Sequence, residues 1–95
     1  MPKVSIILPT YNEKENISAM IDSIARAIGQ QQHEILVVDD DSPDGTAGEV
    51  KRIAEEHPSV RLIHRTEDRG LVQSIKTGID HSTGDICIWM DADCS

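Results

Sequence analysis

The stretch ILVVDDDSPDGT, residues 35–46, decides the fold. Its first four residues are apolar without a break, and three aspartates follow them. A short uninterrupted apolar run ended by turn chemistry reads as a strand covered on both faces. Ser42-Pro43-Asp44-Gly45 supplies the turn, and Ser42 or Asp44 can cap the helix that comes next. Two other runs repeat the arrangement: residues 4–8 (VSIIL) lead to Asn12-Glu13, and residues 86–90 (ICIWM) lead to Asp91-Ala92-Asp93. If the three runs are parallel strands, their acidic clusters share one carboxyl edge of one sheet, where ligands of open α/β sheets bind. A shared acidic edge calls for a cation, and a cation there calls for an anionic group such as a phosphate to bridge.

Working outward, Pro9 is expected to stop the first strand. Ile17, Met20, Ile21, Ile24 and Ile28 then follow the spacing of one helix face, with Gly29 as its stop. A strand is expected over residues 34–38. Ala47, Val50, Ile53 and Ala54 stripe a second helix that Pro58 ends at His57. Residues 60–64 form a short third strand, and Leu71, Ile75, Gly78 and Ile79 mark a third helix. Ser82-Thr83-Gly84 is a loop before a strand over residues 85–90. The order β-α-β-α-β-α-β has the spacing of βαβ crossover units. Right-handed crossovers make this an α/β, Rossmann-like three-layer α/β/α half-domain with a parallel sheet. The last strand runs out four residues before Ser95, so residues 1–95 are expected to be the first part of a larger domain whose second wall is absent.

Composition narrows the function. Ninety-five residues allow at most one domain, and 38% hydrophobic with 27% charged residues is ordinary for a globular protein. A net charge of −8 and only two aromatics, Tyr11 and Trp89, exclude a nucleic-acid platform. Cys87 lies inside an apolar run and is expected in the core, and Cys94 follows the last acidic pair. Neither suggests a disulfide framework or a zinc site, so a reducing, cytoplasmic setting is expected. The longest apolar run is too short to span a bilayer. A strand begins almost at the amino end, so no secretion signal is expected.

The candidate site residues each carry two readings. Asp91 and Asp93, one residue apart, can both approach one hard divalent ion such as Mg2+ or Mn2+, which keeps phosphate oxygens in its shell. The plainer reading makes them a turn and a helix cap. Asp39, at a strand tip, can accept from a base or ribose, or the acidic run can be a solvated turn. Pro9-Thr10-Tyr11-Asn12-Glu13 stands where dinucleotide binders carry a glycine loop. No GxGxxG or GxxxxGK[ST] occurs, so backbone cradling of phosphate is not expected. Tyr11 can pack on a nucleobase or simply cover the next helix. The four histidines show no ligand spacing, and Arg65 and Lys76 read as solvated, with Arg65 able to face a ligand after the third strand.

Together these segments resemble the family 2 glycosyltransferases with the GT-A nucleotide-diphospho-sugar transferase fold. VSIILPTYNE (4–13), ILVVDDDSPDGT (35–46), GLVQSIKTG (70–78) and WMDADCS (89–95) carry the resemblance, closest to the dolichyl- or polyprenyl-phosphate mannosyltransferases. The resemblance implies that Pro9, Tyr11 and Glu13 contact the nucleotide and that Val37 and Asp39 hold base and ribose. It implies that Asp91, Ala92 and Asp93 form the DxD motif that binds Mg2+ or Mn2+ and the sugar diphosphate. It implies the first strand beside the fourth. The donor implied is GDP-mannose, with a UDP-sugar as the other option, and the acceptor is a lipid phosphate or a glycan at the cytoplasmic face of a membrane. One departure stands out: Asp68-Arg69-Gly70-Leu71 replaces the glycine-rich opening usual for the third helix. No residue before Ser95 matches a general base, so the chain alone is expected to be inactive.

Two other readings compete. ILVVDDD resembles the opening of a response-regulator receiver, which would make Asp91 a phosphoacceptor, although a whole strand and helix precede that motif here. A non-catalytic interaction fragment is the third, with an open sheet edge that pairs two copies into a homodimer.

Overall fold

The computed structural model describes residues 2–66 and 70–90. The chain runs β1 (Val4–Thr10), α1 (Ile17–Ile28), β2 (His33–Asp39), α2 (Thr46–Glu56), β3 (Val60–His64), α3 (Leu71–His81) and β4 (Ile86–Trp89). The strands form one parallel sheet in the order β3-β2-β1-β4. The first three strands are laid outward from β1, and the chain then returns to place β4 on its other side. The strand order therefore reverses between β1 and β4, and a crevice opens at the carboxyl ends there. No helix among the described residues is long and apolar enough to cross a membrane.

The apolar runs are continuous because alternate residues feed opposite faces. Ile6, Leu8, Ile35 and Val37 pack under α1 and α2 with Ile17, Ile21, Ile24, Val50 and Ile53. Ile7, Leu36 and Val38 form the smaller core on the α3 side, with Ile63 against it. A strand of period two cannot show a polar face when both faces are covered.

Four details differ from the expectations. Pro9 does not end β1, which continues to Thr10 with Pro9 opposite Val38. Ile7 accepts from Met90 on the β4 side and Thr10 accepts from Asp40 on the β2 side. By that alternation the missing Pro9 N–H faces the β4 side, beyond the last described pair of that ladder, Ile7 with Trp89, and the β1–β2 ladder keeps its bonds. The stripe of α3 also turns: its buried residues are Ser74 and Gly78, while Leu71 and Ile79 stay exposed. A Cβ on Gly78 would lie 2.5 Å from Ile7 Cγ2, so glycine lets the helix backbone come down onto β1. The apolar run of β4 is exposed throughout, and Cys87, expected in the core, is exposed with its Sγ 3.2 Å from Ser82 Oγ. β4 is a sheet edge paired only to β1, so its hydrophobicity is not matched by a cover among the described residues. Finally, neither Ser42 nor Asp44 is the cap of α2: Gly45 holds that position, and Asp44, one residue earlier, accepts from the Thr46 N–H and hydroxyl.

Candidate functional site

Two loops meet at the carboxyl edge of β1 and β2, and one braces the other. The loop after β1 aims three successive N–H groups at side chains of the loop after β2. Asn12 N–H donates to Ser42 Oγ at 2.9 Å, Glu13 N–H to Thr46 Oγ1 at 3.0 Å, and Lys14 N–H to Asp44 Oδ2 at 3.1 Å. Each of these groups would otherwise be an orphan donor between a strand and a helix. Desolvation opposes ionisation of Asp44, but bonds from the Thr46 hydroxyl and the Lys14 and Thr46 amides, with the Lys14 charge, hold its carboxyl below the ordinary range. Asn12 and Asp41 both take positive φ, 56° and 57°, a conformation those two residue types tolerate better than most.

Asp39 lies beneath these loops with no exposed surface. Thr10 Oγ1 donates to its Oδ1 at 2.8 Å, Ser42 N–H to its Oδ2 at 3.0 Å, and the Ser42 hydroxyl to its Oδ1 as well. The carboxylate ties the tips of β1 and β2 together, and the Asp39 carbonyl accepts from Arg65 N–H at 2.8 Å.

Asp40, one residue on, points to the other face. Its Oδ2 accepts from Gly70 N–H at 2.8 Å and its Oδ1 from Ser74 Oγ at 2.7 Å, which hangs the amino end of α3 from the tip of β2. Between this junction and the tip of β1 lies a cleft of about 400 Å³ lined by Pro9, Thr10, Tyr11, Glu13, Asp40, Leu71 and Ser74. Tyr11, Asp40 and Leu71 also line a second depression, with Gly70. Tyr11 and Leu71 are each 53% exposed. The Glu13 carboxylate is steadied by Asn16 Nδ2 at 3.3 Å.

The structure brings Pro9, Tyr11 and Glu13, the residues singled out by the resemblance, together in one cleft at the tip of β1. Val37 and Asp39 do not line it, since both are fully buried below it. Asp91, Ala92 and Asp93 lie outside the described residues, as do Asp68, Arg69 and Cys94. Met90, the last residue described before them, donates its N–H to the Ile7 carbonyl at 3.0 Å, so the chain is still attached to the β1 edge as it approaches the motif. Among the described residues no group of three or more His, Cys, Asp and Glu is set to hold a metal. Reading the sequence missed Asp40, Leu71 and Ser74 as site residues. The available signal was the odd run of three aspartates, which has one more carboxylate than a turn and a strand tip require.

The family model for glycosyl transferase family 2 matches residues 5–95. A dolichol-phosphate mannosyltransferase of Pyrococcus furiosus is 42% identical over 91 residues, which are 96% of this chain and 26% of that protein. A mannosyltransferase of Pyrobaculum calidifontis, solved in complex with GDP-Man and Mn2+, superposes with a TM-score of 0.87 at 40% identity, over 97% of this chain and 28% of that one. The glucosyl-3-phosphoglycerate synthase of Mycobacterium tuberculosis, solved with Mn2+ and UDP, superposes with a TM-score of 0.76 at 26% identity, over 97% and 34% of the two chains. The chain therefore spans about a quarter to a third of the length of these proteins.

Proposed function

The chain belongs to glycosyl transferase family 2, and from that premise we propose that it forms the nucleotide-sugar-binding part of an inverting hexosyltransferase. The donor we assign is GDP-mannose, with a UDP-sugar as the competing choice, and the acceptor is a polyprenyl or dolichyl phosphate presented at the cytoplasmic face of a membrane. The observation that carries this reading is the cleft at the β1 carboxyl end, lined by Pro9, Tyr11 and Glu13 on the carboxyl edge of the parallel sheet. Its support from outside is the likeness to a mannosyltransferase solved with GDP-Man and Mn2+.

In this proposal Tyr11 covers the nucleobase and Pro9 gives the strand tip a rigid, donor-free edge. Glu13 offers a carboxylate to the N–H groups of the base or to the ribose hydroxyls. Val37 and Asp39 act from below, the first as core and the second by fixing Thr10 and Ser42. Asp91 and Asp93, hard oxygen donors that follow the Met90 attachment to β1, suit Mg2+ or Mn2+. When bound, such a cation supplies positive charge to the leaving diphosphate in a chain whose own net charge is −8. The acceptor phosphate oxygen attacks the anomeric carbon opposite the departing diphosphate. One C–O bond forms as the other breaks, so the configuration inverts. A lipid phosphate is already anionic and needs no base to lose a proton. Residues 1–95 alone bind in this proposal but do not transfer.

Calorimetric titration with GDP, UDP and GDP-mannose, with and without Mn2+, tests it. Metal-dependent binding that Asp91→Ala and Asp93→Ala abolish is the expected result, and the preferred nucleotide names the base. Binding of none of the three would overturn the reading. Pairing of two copies through β4 is a separate proposal. It rests on the edge position of that strand and the half-exposed Ile86, Ile88 and Trp89. A monomer by light scattering at high concentration would end it.

A further inference from the structure

We propose that the first turn of α3 is part of the nucleotide site, with Leu71 as a nucleobase-contact residue and Asp40 as the positioning residue that holds it there. The inference rests on the proposed nucleotide reading and extends it to residues of a third element. Leu71 lines both depressions together with Tyr11 and stands 53% exposed. Its neighbour Val72 is more exposed, at 74%, yet lines neither. A flat, mostly apolar ring gains when both its faces leave water, and one aromatic wall covers only one of them. Leu71 is the apolar side chain available in the same cleft for the other.

The cleft has this wall because of Asp40. Asp40 is 9% exposed, with one carboxylate oxygen on Gly70 N–H and the other on Ser74 Oγ. Each oxygen is engaged, so the group acts as a strut between the β2 tip and α3. Gly70 and Ser74 flank Leu71 in sequence, so the two bonds fix the turn on both sides of it. Gly70 itself has φ 137°, a left-handed conformation that a side chain would oppose, and the chain can turn into the helix there without displacing Leu71.

The test is titration of the protein with GDP and with pyrophosphate at fixed Mn2+, for wild type, Leu71→Ala, Asp40→Ala, the double variant and Val72→Ala as control. Leu71→Ala is expected to weaken GDP about five- to tenfold through lost apolar contact and to leave pyrophosphate unchanged. Val72→Ala is expected to change neither. If Asp40 acts through Leu71, the double variant loses little more than the larger single loss, a non-additivity that general destabilisation does not produce. Should Asp40→Ala fail to fold, Ser74→Ala removes one of the two donors and is expected to give a smaller loss of the same kind. Wild-type binding of GDP that Leu71→Ala leaves intact would overturn the inference while the nucleotide reading stands. If wild type binds no nucleotide, both fall together.

Discussion

Thr83 donates its backbone N–H to Glu34 Oε2 at 2.6 Å, a bond that spans 49 residues and anchors the loop ahead of β4 to the start of β2. The same carboxylate accepts from the Ser5 hydroxyl at 2.7 Å, the Thr83 hydroxyl at 3.1 Å and Arg61 Nη1 at 2.8 Å. Ser5 Oγ in turn accepts from Gly84 N–H at 2.8 Å, and a Cβ on Gly84 would lie 2.4 Å from that oxygen. Among the described strands β4 pairs with β1 alone, and this cluster at the opposite end from the cleft helps fix where it begins, beside the bonds of Asp85 and Ile86 N–H to the Lys3 carbonyl.

The acid stability of the protein follows from that cluster. Burial opposes ionisation of Glu34, but the bonds from the Thr83 amide, Ser5, Arg61 and the Thr83 hydroxyl outweigh it and hold the pKa at about 2, down from 4.5. A depressed folded-state pKa stabilises the fold above the unfolded value and loses that contribution as pH falls through the folded one. The window is therefore about pH 4.5 to 2, and the contribution is on the order of 3 kcal/mol. Urea midpoints measured from pH 6 to pH 2 are expected to fall more steeply in wild type than in Glu34→Gln. Parallel curves would show that Glu34 has no such role.

Gly78→Ala is expected to destabilise the fold by about 1–3 kcal/mol, the usual result of overpacking. The added methyl meets Cγ2 and Cγ1 of Ile7, a fully buried branched side chain on the central strand, which cannot step aside cheaply. Thermal melts of Gly78→Ala, Ile7→Ala and the pair check it. The double variant should lose less than the two single losses together, because removing the Ile7 branches relieves the clash.

Much of the molecule was legible in its sequence where one physical effect dominated. The strands at residues 4–8 and 34–38 and the helix starting at Ile17 were plain because burial on known faces set the pattern. α3 was legible as a helix but its inner face only in part, because its contact with the sheet is made by Ser74 and Gly78, which carry almost no hydrophobic signal, while Leu71 and Ile79 mark a face left open. β4 was legible as a strand but not its exposure: its apolar run is real, but periodicity cannot say whether anything covers it. In the site, Pro9, Tyr11 and Glu13 were legible as a strand tip. The exchange of duties between Asp39 and Asp40 was not, since adjacent strand-end residues face opposite sides and only the register with Thr10 and α3 decides which is which.

The positive φ of Asn12 gives a paired prediction. A side chain that cannot bond locally pays for the left-handed conformation, so Asn12→Ala is expected to lose about 1 kcal/mol, whereas Asn12→Gly is expected to stay within about 0.5 kcal/mol of wild type. Both variants keep the N–H that donates to Ser42 Oγ. Chemical denaturation of the two side by side separates backbone strain from loss of the amide, and equal losses would refute the strain account.

Thr10→Val tests the bond between the tip of β1 and the buried Asp39. It preserves shape and removes the hydroxyl that donates to Asp39 Oδ1, leaving a carboxylate with no exposed surface one donor short. Removing one partner of a buried charged acceptor costs about 1–3 kcal/mol, more than the hydroxyl would at the surface. The two Ser42 bonds remain and still hold Asp39 to its own loop, so what is released is the tie between the tips of β1 and β2. Tyr11 sits one residue beyond Thr10, and loosening that tip should weaken nucleotide as well as stability. Asp39→Asn, which keeps an acceptor oxygen for Thr10, is expected to recover part of the nucleotide affinity relative to Asp39→Ala. Urea melts and GDP titrations on the three variants check both halves. Thr10→Val as stable as wild type would show that the Asp39 carboxylate is satisfied by Ser42 alone.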